Sequence, residues 1–547
     1  MDFDTEVLVV GAGPTGLVLA ARLAAFGVRC RIIDMEPERS PYSRALVVQP
    51  RSLEQLAPMG VCEALTAEGR GVREVRIFVH REEAVRLGIG DIGVDDTAWA
   101  RPLFVSQAVT ERVLDAHLEG LGLTVERPLA LLGATQDADG VTATIAGPDG
   151  TFELRCRWLV GCDGAHSVVR KEAGLRFDGD AYPQDFILAD LRVDWDIPED
   201  VLNLFLRRDG IFAVFPAFEA HTLRLIASRS GDVEADPAPP TLEEFQAIAD
   251  EVSPVPMRLS DPVWLARFRL HHRGVDRYRV GRMFVAGDAA HIHSPAGGQG
   301  MNTGIQDAVN LAWKLAMVSR GRCDEGLLDS YHAERFPVGQ RLLNFTDRLF
   351  RLGSSSNSLI AALRSFLVPR LAPVMLDDRA RRATAFRFVS QLGIRYRKSP
   401  IVTPYEGDAS AAFRAGPRAG DRAPDGALKD PDTGRDATLH GRFDGLAHEW
   451  LLFTGRDTAA SAVEKADRQL ASVVQRFGGL VRSHVILGRL RTDHRVEALF
   501  DERGDVHARY GMDGPGMVLV RPDGYIATRC PGLETWPIER VLEGLFR

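Results

Sequence analysis

Three short stretches are rich in glycine, two of them with a carboxylate beside it: Gly11-Ala12-Gly13-Pro14-Thr15-Gly16, Gly161-Cys162-Asp163-Gly164 and Gly287-Asp288-Ala289-Ala290-His291. Glycine lets backbone N–H groups approach a phosphate closely, and a carboxylate bonds sugar hydroxyls. Together the three stretches describe one dinucleotide held along its length, which makes this chain a candidate flavin enzyme.

The elements around these residues must position them. Thr5 to Val10 is a β-branched apolar run, and the segment after Gly16 has helical periodicity through Leu17, Leu19, Ala20, Leu23 and Ala24. Strand, tight turn and helix N-terminus form a pyrophosphate site, with Gly11, Gly13, Pro14, Thr15 and Gly16 as its contacts. Arg29 to Ile33 reads as the second strand, ending in Asp34, where an acid bonds ribose hydroxyls. This much fits NAD as well as FAD.

The third stretch favours FAD. Arg282 to Ala286 reads as a strand whose Gly287-Asp288 end offers a carboxylate to a ribityl chain or ribose. Ser294 to Asn302 is a glycine-rich entry to a helix running through Val318. The free N–H groups and partial positive charge of such an N-terminus suit the negative charge that a flavin gains on reduction.

Residues 281–315, with Gly-Asp-Ala-Ala-His-Ile-His-Ser-Pro-Ala-Gly-Gly-Gln-Gly-Met-Asn at their centre, closely resemble the signature of the FAD-dependent aromatic hydroxylases. These are the class A flavoprotein monooxygenases of the para-hydroxybenzoate hydroxylase fold. Ser43-Arg44-Ala45, Arg51-Ser52-Leu53-Glu54 and the helix opening at Gln107-Ala108-Val109-Thr110-Glu111 agree, and the similarity covers about the first 400 residues. The layout is closest to the branch acting on polycyclic aromatic polyketides and substituted phenols.

The resemblance implies an α/β fold with a Rossmann-like FAD-binding domain and an antiparallel β-sheet substrate domain. It implies non-covalent FAD, reduction by NADPH or NADH, and O2 adding to the reduced ring to give a C4a-hydroperoxyflavin that hydroxylates an aromatic substrate. It places Arg44 and Gln107 near the flavin and links Asp163 with FAD and the pyridine nucleotide. Gly287, Asp288, Pro295, Gly298, Gly300, Met301 and Asn302 complete the cofactor contacts. Pro295, Gly298, Arg44 and Phe215 are the residues set nearest the reaction, and Arg44 is also a phosphate contact for the nicotinamide nucleotide. A Baeyer–Villiger or epoxidising monooxygenase, a flavin oxidase or dehydrogenase, and a non-catalytic flavin module stay open as alternatives, because fold does not fix the oxygen acceptor.

Composition agrees with an enzyme of small molecules. Hydrophobic residues make up 45% of the 547, enough for a large core, and a net charge of −8 without a basic block gives no nucleic-acid footprint. No apolar run is long enough to span a bilayer, and the acidic N-terminus is unlike a signal peptide, so a cytoplasmic location is expected. A homodimer is the oligomer considered. Cysteines 30, 62, 156, 162, 323 and 530 show no Cys-x-x-Cys and no metal-ligand spacing. His291 and His293 beside Asp288 belong to a glycine-rich flavin loop, and adjacent His271 and His272 face opposite ways on a strand, so no metal is expected.

The domain reading is discontinuous: 1–75, 101–178 and 281–345 for FAD; 76–100 and 179–280 for the substrate sheet; 346–400 a helical linker; 401–547 a C-terminal unit. Asp185 to Ile197, Leu202 to Phe218 and His221 to Ser228 read as sheet strands, with a turn at Arg208-Asp209-Gly210. Phe212, Phe215 and Phe218 are candidates for a cavity lining, Phe215 foremost. Val193-Asp194-Trp195-Asp196-Ile197-Pro198 approaches the Trp-x-Trp-x-Ile-Pro signature of flavin-dependent halogenases, but Val193 stands at the first tryptophan, and Trp195 reads as a packing residue. The C-terminal unit, with strands at Trp450 to Thr454 and His484 to Leu487, a helix from Ser461 to Phe477 and a hairpin turning at Pro522-Asp523-Gly524, resembles a thioredoxin-like domain. Its single cysteine, Cys530, cannot run dithiol chemistry.

Overall fold

The fingerprint turn lies at the C-terminal edge of a mostly parallel sheet. The structure, a computed structural model, describes residues 3–41, 45–207, 210–216, 222–229, 239–293, 297–354, 378–455, 457–488 and 498–547. In this first sheet the strands run in the order Arg279–Val280, Met283–Val285, Gly150–Gly161, Thr5–Val10, Cys30–Ile33 and Val125–Glu126. Thr5–Val10 pairs in parallel with both Gly150–Gly161 and Cys30–Ile33, and Gly150–Gly161 with Met283–Val285, so all three glycine-bearing stretches emerge at one edge. That edge is where open α/β sheets bind nucleotides. Ala130–Gln136 and Val141–Gly147 extend the sheet as an antiparallel meander on Gly150–Gly161.

Helix Pro14–Ala25 packs against helix Gly300–Ser319, which is buried continuously from Asn302 to Val318. A helix buried on all sides is ordinarily apolar. This one carries Asn302, Gln306, Asp307, Asn310 and Lys314 into the interior, and each needs a partner there.

The second sheet has eight strands in the order His291–Ile292, Arg258–Val275, Phe177–Asp194, Thr222–Arg229, Ile211–Phe215, Val201–Leu206, Glu74–Val79 and Glu82–Gly88. Two 18-residue strands, Phe177–Asp194 and Arg258–Val275, pair antiparallel and carry the chain away from the first sheet and back. Alternation divides the faces. Ile187, Ala189, Leu191, Phe205, Phe212, Leu223 and Leu225 pack under helix Leu242–Val252, while Phe186, Leu188, Ile211, Phe215, Ile226, Trp264 and Phe268 occupy the other face with Leu46. Trp195 packs on the helix-covered core. The expected turn at 208–210 and Phe218 fall partly or wholly outside the described residues; Arg207 N donates to Gly210 O at 2.8 Å, closing the hairpin.

The division expected at 345/346 falls inside one helix, Asp329–Ser354, so no separate linker begins there. The helix runs through Pro337 without ending there. Residues 355–377 of the expected linker lie outside the described residues, and helix Arg379–Val389 follows them. The boundary at 178/179 likewise falls within strand Phe177–Asp194.

The C-terminal unit builds a seven-stranded sheet in the order Asp436–Thr438, Ala427–Lys429, Ala498–Phe500, Val481–Leu487, His448–Phe453, Gly516–Val520 and Ile526–Pro531. Three of these strands, at 427–429, 436–438 and 498–500, were not anticipated; at three residues each they show no periodicity. All six cysteines are free thiols. Among the described residues, no helix is long and apolar enough to cross a membrane, and no cluster of His, Cys, Asp or Glu could hold a metal ion.

Candidate functional site

The fingerprint glycines divide by what surrounds them. Gly11 has φ +99°, and a Cβ there would lie 2.4 Å from the Cys162 carbonyl oxygen; one on Gly16 would lie 1.9 Å from the Gly11 oxygen. These two positions require glycine because backbone passes against them. A Cβ on Gly13 would meet nothing within 4 Å. That open face lies beside the N-terminus of helix Pro14–Ala25, where a pyrophosphate would sit.

Two helix N-termini at this edge lack side-chain caps: the helix entered from Gly13, and the signature helix entered from Gln299. By contrast, Ser106, Ser167 and Thr241 cap helices Gln107–Gly120, Val168–Glu172 and Leu242–Val252. Uncapped N–H groups at the fingerprint and at Gly300, Met301 and Asn302 remain available to an anionic or electron-rich ligand. The residues present therefore fit a flavin dinucleotide.

Asp34 spans the fingerprint turn. Its Oδ2 accepts from Ala12 N at 2.6 Å and its Oδ1 from Glu36 N at 2.9 Å, while Arg127 Nη1 stands 3.1 Å from Oδ1. Gln107 accepts from Ala45 N at 3.1 Å and donates to Glu111 at 2.8 Å, fixing the chain just after position 44. Arg44 itself and Pro295 lie outside the described residues.

Asp163 caps a helix. It accepts from Ser167 Oγ at 2.5 Å and from Val168 N at 2.7 Å, and burial outweighs these bonds to push its carboxyl up. Asp288 is exposed in a 3-10 turn after Gly287, on the same strand edge.

Asn302 directs its side chain inward. Its Oδ1 accepts from Gln49 N at 2.7 Å, and its Nδ2 donates to Val47 O at 2.8 Å and Gly298 O at 2.7 Å. Asn302 thus ties the signature loop to residues 47–49, leaving its backbone rather than its side chain for a cofactor. Gly298, at φ +62°, presses against Val47, where a Cβ would lie 2.1 Å from Val47 Cγ1. Phe215 joins the roof face to this loop system: it packs with both the Phe186–Ile226 group and the group of Val47 and Phe104.

Sequence reasoning missed the residues beneath the loop. Asp307 Oδ2 accepts from Gly287 N at 3.1 Å and pairs with His291 Nε2 at 2.8 Å, while its Oδ1 accepts from Arg335 Nε at 2.6 Å. Burial works against the charged carboxylate, and Arg335 with His291 outweighs it, holding Asp307 below its usual range. The only local signal was the set of polar residues, Asn302, Gln306, Asp307, Asn310 and Lys314, spaced among the apolar ones of this helix. The roof face carries a polar pair that was also missed: Arg224 makes two 2.6 Å bonds to Asp190 beside the Trp264 ring.

A phosphate-binding turn, an uncapped glycine-rich helix at the same strand edge and an aromatic sheet face over them define a flavoprotein of the para-hydroxybenzoate hydroxylase fold. A model described as "FAD binding domain" matches residues 4–346, and the chain belongs to that family. It is 34% identical to 6-methylpretetramide 4-monooxygenase of Streptomyces rimosus over 533 residues, covering 96% of this chain and 90% of that one. Among solved structures, the anhydrotetracycline hydroxylase OxyS from Streptomyces rimosus superposes with a TM-score of 0.76 at 31% identity, over 99% of both chains. A ternary complex of aklavinone-11 hydroxylase with FAD and aklavinone gives 0.77 at 26% identity, also over 99% of both. The chain is an FAD-dependent aromatic monooxygenase that uses NAD(P)H and O2.

Proposed function

We propose that this enzyme hydroxylates a flat, polycyclic phenolic substrate of the aromatic polyketide type. The observation that carries this reading is the open face of the roof sheet. Ile211 and Phe215 on one strand and Trp264 and Phe268 on another are only half-buried there, on the outer two of four neighbouring strands, while the opposite face is sealed by helix Leu242–Val252. A surface of that breadth suits several fused rings, and the Arg224–Asp190 pair gives a polar contact for oxygen substituents. The relatives named for pretetramide, anhydrotetracycline and aklavinone substrates support the same class.

When bound, FAD supplies the redox and oxygen-activating chemistry. Gly11, Gly13, Pro14, Thr15 and Gly16 would take its pyrophosphate, and Asp34 would take the ribose. Asp163, Gly287 and Asp288 would lie on its ribityl side, Gly298, Gly300, Met301 and Asn302 would hold the ring through backbone N–H groups, and Gln107 would set the chain beside it. In this reading Arg44 and Pro295 complete the contacts, with Arg44 meeting the nicotinamide nucleotide. The roof face and the Val47–Gly298 contact would orient the substrate and exclude water. The FAD unit is read as three separated stretches and the roof as two, with the chain passing from one to the other along strand Phe177–Asp194 and helix Asp329–Ser354 kept whole, and the C-terminal unit is read as thioredoxin-like. A cytoplasmic homodimer is part of the proposal.

The test is substrate-dependent NAD(P)H oxidation with a panel of one-ring phenols and three- or four-ring phenolic polyketides. The polycyclic compounds should accelerate it most, and Phe215→Ala should raise their KM more than that of one-ring phenols. A preference for one-ring phenols in the native enzyme would overturn the substrate class.

A further inference from the structure

The Arg521–Tyr525 turn of the C-terminal unit enters the FAD domain. Arg521 donates to Glu334 through both terminal nitrogens, at 2.6 and 2.8 Å, and to Asp523 Oδ1 through Nε at 3.0 Å. Asp523 Oδ2 accepts from Asn310 at 3.1 Å and Trp313 Nε1 at 3.3 Å on the signature helix, and its backbone oxygen accepts from Arg51 at 2.6 Å. Glu334 also accepts from Lys314 at 2.7 Å and from Ser399 at 2.6 Å.

The next residue along the helix is Arg335. It donates to Asp307 at 2.6 Å, to the Tyr396 hydroxyl at 2.8 Å and to Thr303 O at 3.1 Å. Asp307 in turn holds Gly287 N and His291, the strand end and loop of the flavin signature. Three acids (Asp307, Glu334, Asp523) and three bases (Lys314, Arg335, Arg521) thus form a charge-balanced set, none more than 2% exposed.

Burying six charges is costlier than packing apolar residues of the same size, so such a network is a poor choice for adhesion alone. What it supplies is geometry. Each bond has one acceptable arrangement, and a shifted turn would strand a charge in the interior.

We propose that the C-terminal unit is a positioning element of the flavin site. The Arg521–Asp523 turn fixes Glu334, Arg335 carries that placement to Asp307, and Asp307 sets the backbone of Gly287 and the His291 loop against the cofactor. Glu334, Arg521 and Asp523 are positioning residues in this scheme. The proposal rests on the flavin reading above, and it requires reciprocity: FAD binding must tighten the turn as much as the turn tightens FAD.

Two measurements test it. In the native full-length protein, adding FAD to the apoenzyme should slow amide exchange of residues 520–526 at least fivefold more than that of helix Ala460–Arg476, which carries none of the network. Asp523→Asn, in protein shown to be folded by circular dichroism, should raise the FAD dissociation constant at least tenfold, while Cys530→Ser in the same unit leaves it unchanged. Bound FAD with no selective slowing at 520–526 would overturn the proposal, whether or not the variant folds. An FAD constant within twofold of native in folded Asp523→Asn would overturn it too. Native protein that takes up no FAD would instead refute the flavin reading.

Discussion

Thr15 and Gly304 lie so close that a Cβ on Gly304 would stand 2.2 Å from Thr15 Oγ1. A Cβ on Gly287 would stand 2.7 Å from the same oxygen. The first helix of the nucleotide fold and the signature helix therefore meet through glycine on one side and a threonine on the other, which brings the two uncapped helix N-termini to one ligand.

Gly304→Ala should accordingly damage cofactor binding from a position outside the glycine fingerprint. Overpacking of this kind costs about 1–3 kcal/mol. The expected outcome is a lowered Tm and protein purified with less than half its FAD, read from the ratio of flavin to protein absorbance. Full flavin content in Gly304→Ala would show that the helices can separate without consequence.

Asp34→Ala removes the acceptor of the 2.6 Å bond from Ala12 N. A hydrogen bond to a charged group contributes about 1.5–3 kcal/mol, so FAD affinity should fall by roughly 10- to 150-fold. Fluorescence titration of released and rebound FAD measures it. Asp34→Asn, which keeps an acceptor, should recover part of the loss.

Cys530 is buried, and burial pushes its thiol up to about 12. It is protonated at neutral pH and has no second thiol for exchange. Cys530→Ser should leave turnover within twofold of native, and native protein should react with a thiol reagent at this position only on unfolding. Rapid labelling of Cys530 in the folded enzyme would contradict the buried, unreactive thiol.

His448 lies between the rings of Trp313 and Phe546 at the junction of the two units. Burial first, and Arg521 second, lower its pKa from 6.5 to about 3. The unfolded chain binds a proton here below pH 6.5 that the folded chain refuses until about pH 3. Stability therefore falls with pH across that window, by about 1.4 kcal/mol per pH unit from this residue. Denaturant melts at pH 7 and pH 5 should show a smaller pH loss for His448→Phe than for the native enzyme.

The fingerprint, the signature helix and the roof strands could be read from sequence because each is local: a turn needs glycine where backbone passes, and a half-buried strand alternates. The network under the loop could not. Arg521 and Glu334 are 187 positions apart, and each reads singly as a solvated surface charge. Lys314 in a helix is unremarkable until that helix is known to be buried on every side. Asp163 shows the same limit from the other side: its motif reads from sequence, but the bonds its oxygens accept from Ser167 and Val168 depend on a turn that no local pattern spells out. The inward turn of Asn302 was hidden in the same way, because side-chain direction at a helix start depends on the loop it meets.

The proposed reaction is oxygen transfer to an aromatic ring lying under the roof sheet. Turnover of a three- or four-ring phenolic polyketide with NAD(P)H under isotopically labelled oxygen gas, followed by mass and NMR analysis of the product, tests it most directly. One labelled atom should appear as a new ring hydroxyl. Label in a lactone or an epoxide, or an oxidised product carrying no label, would contradict it.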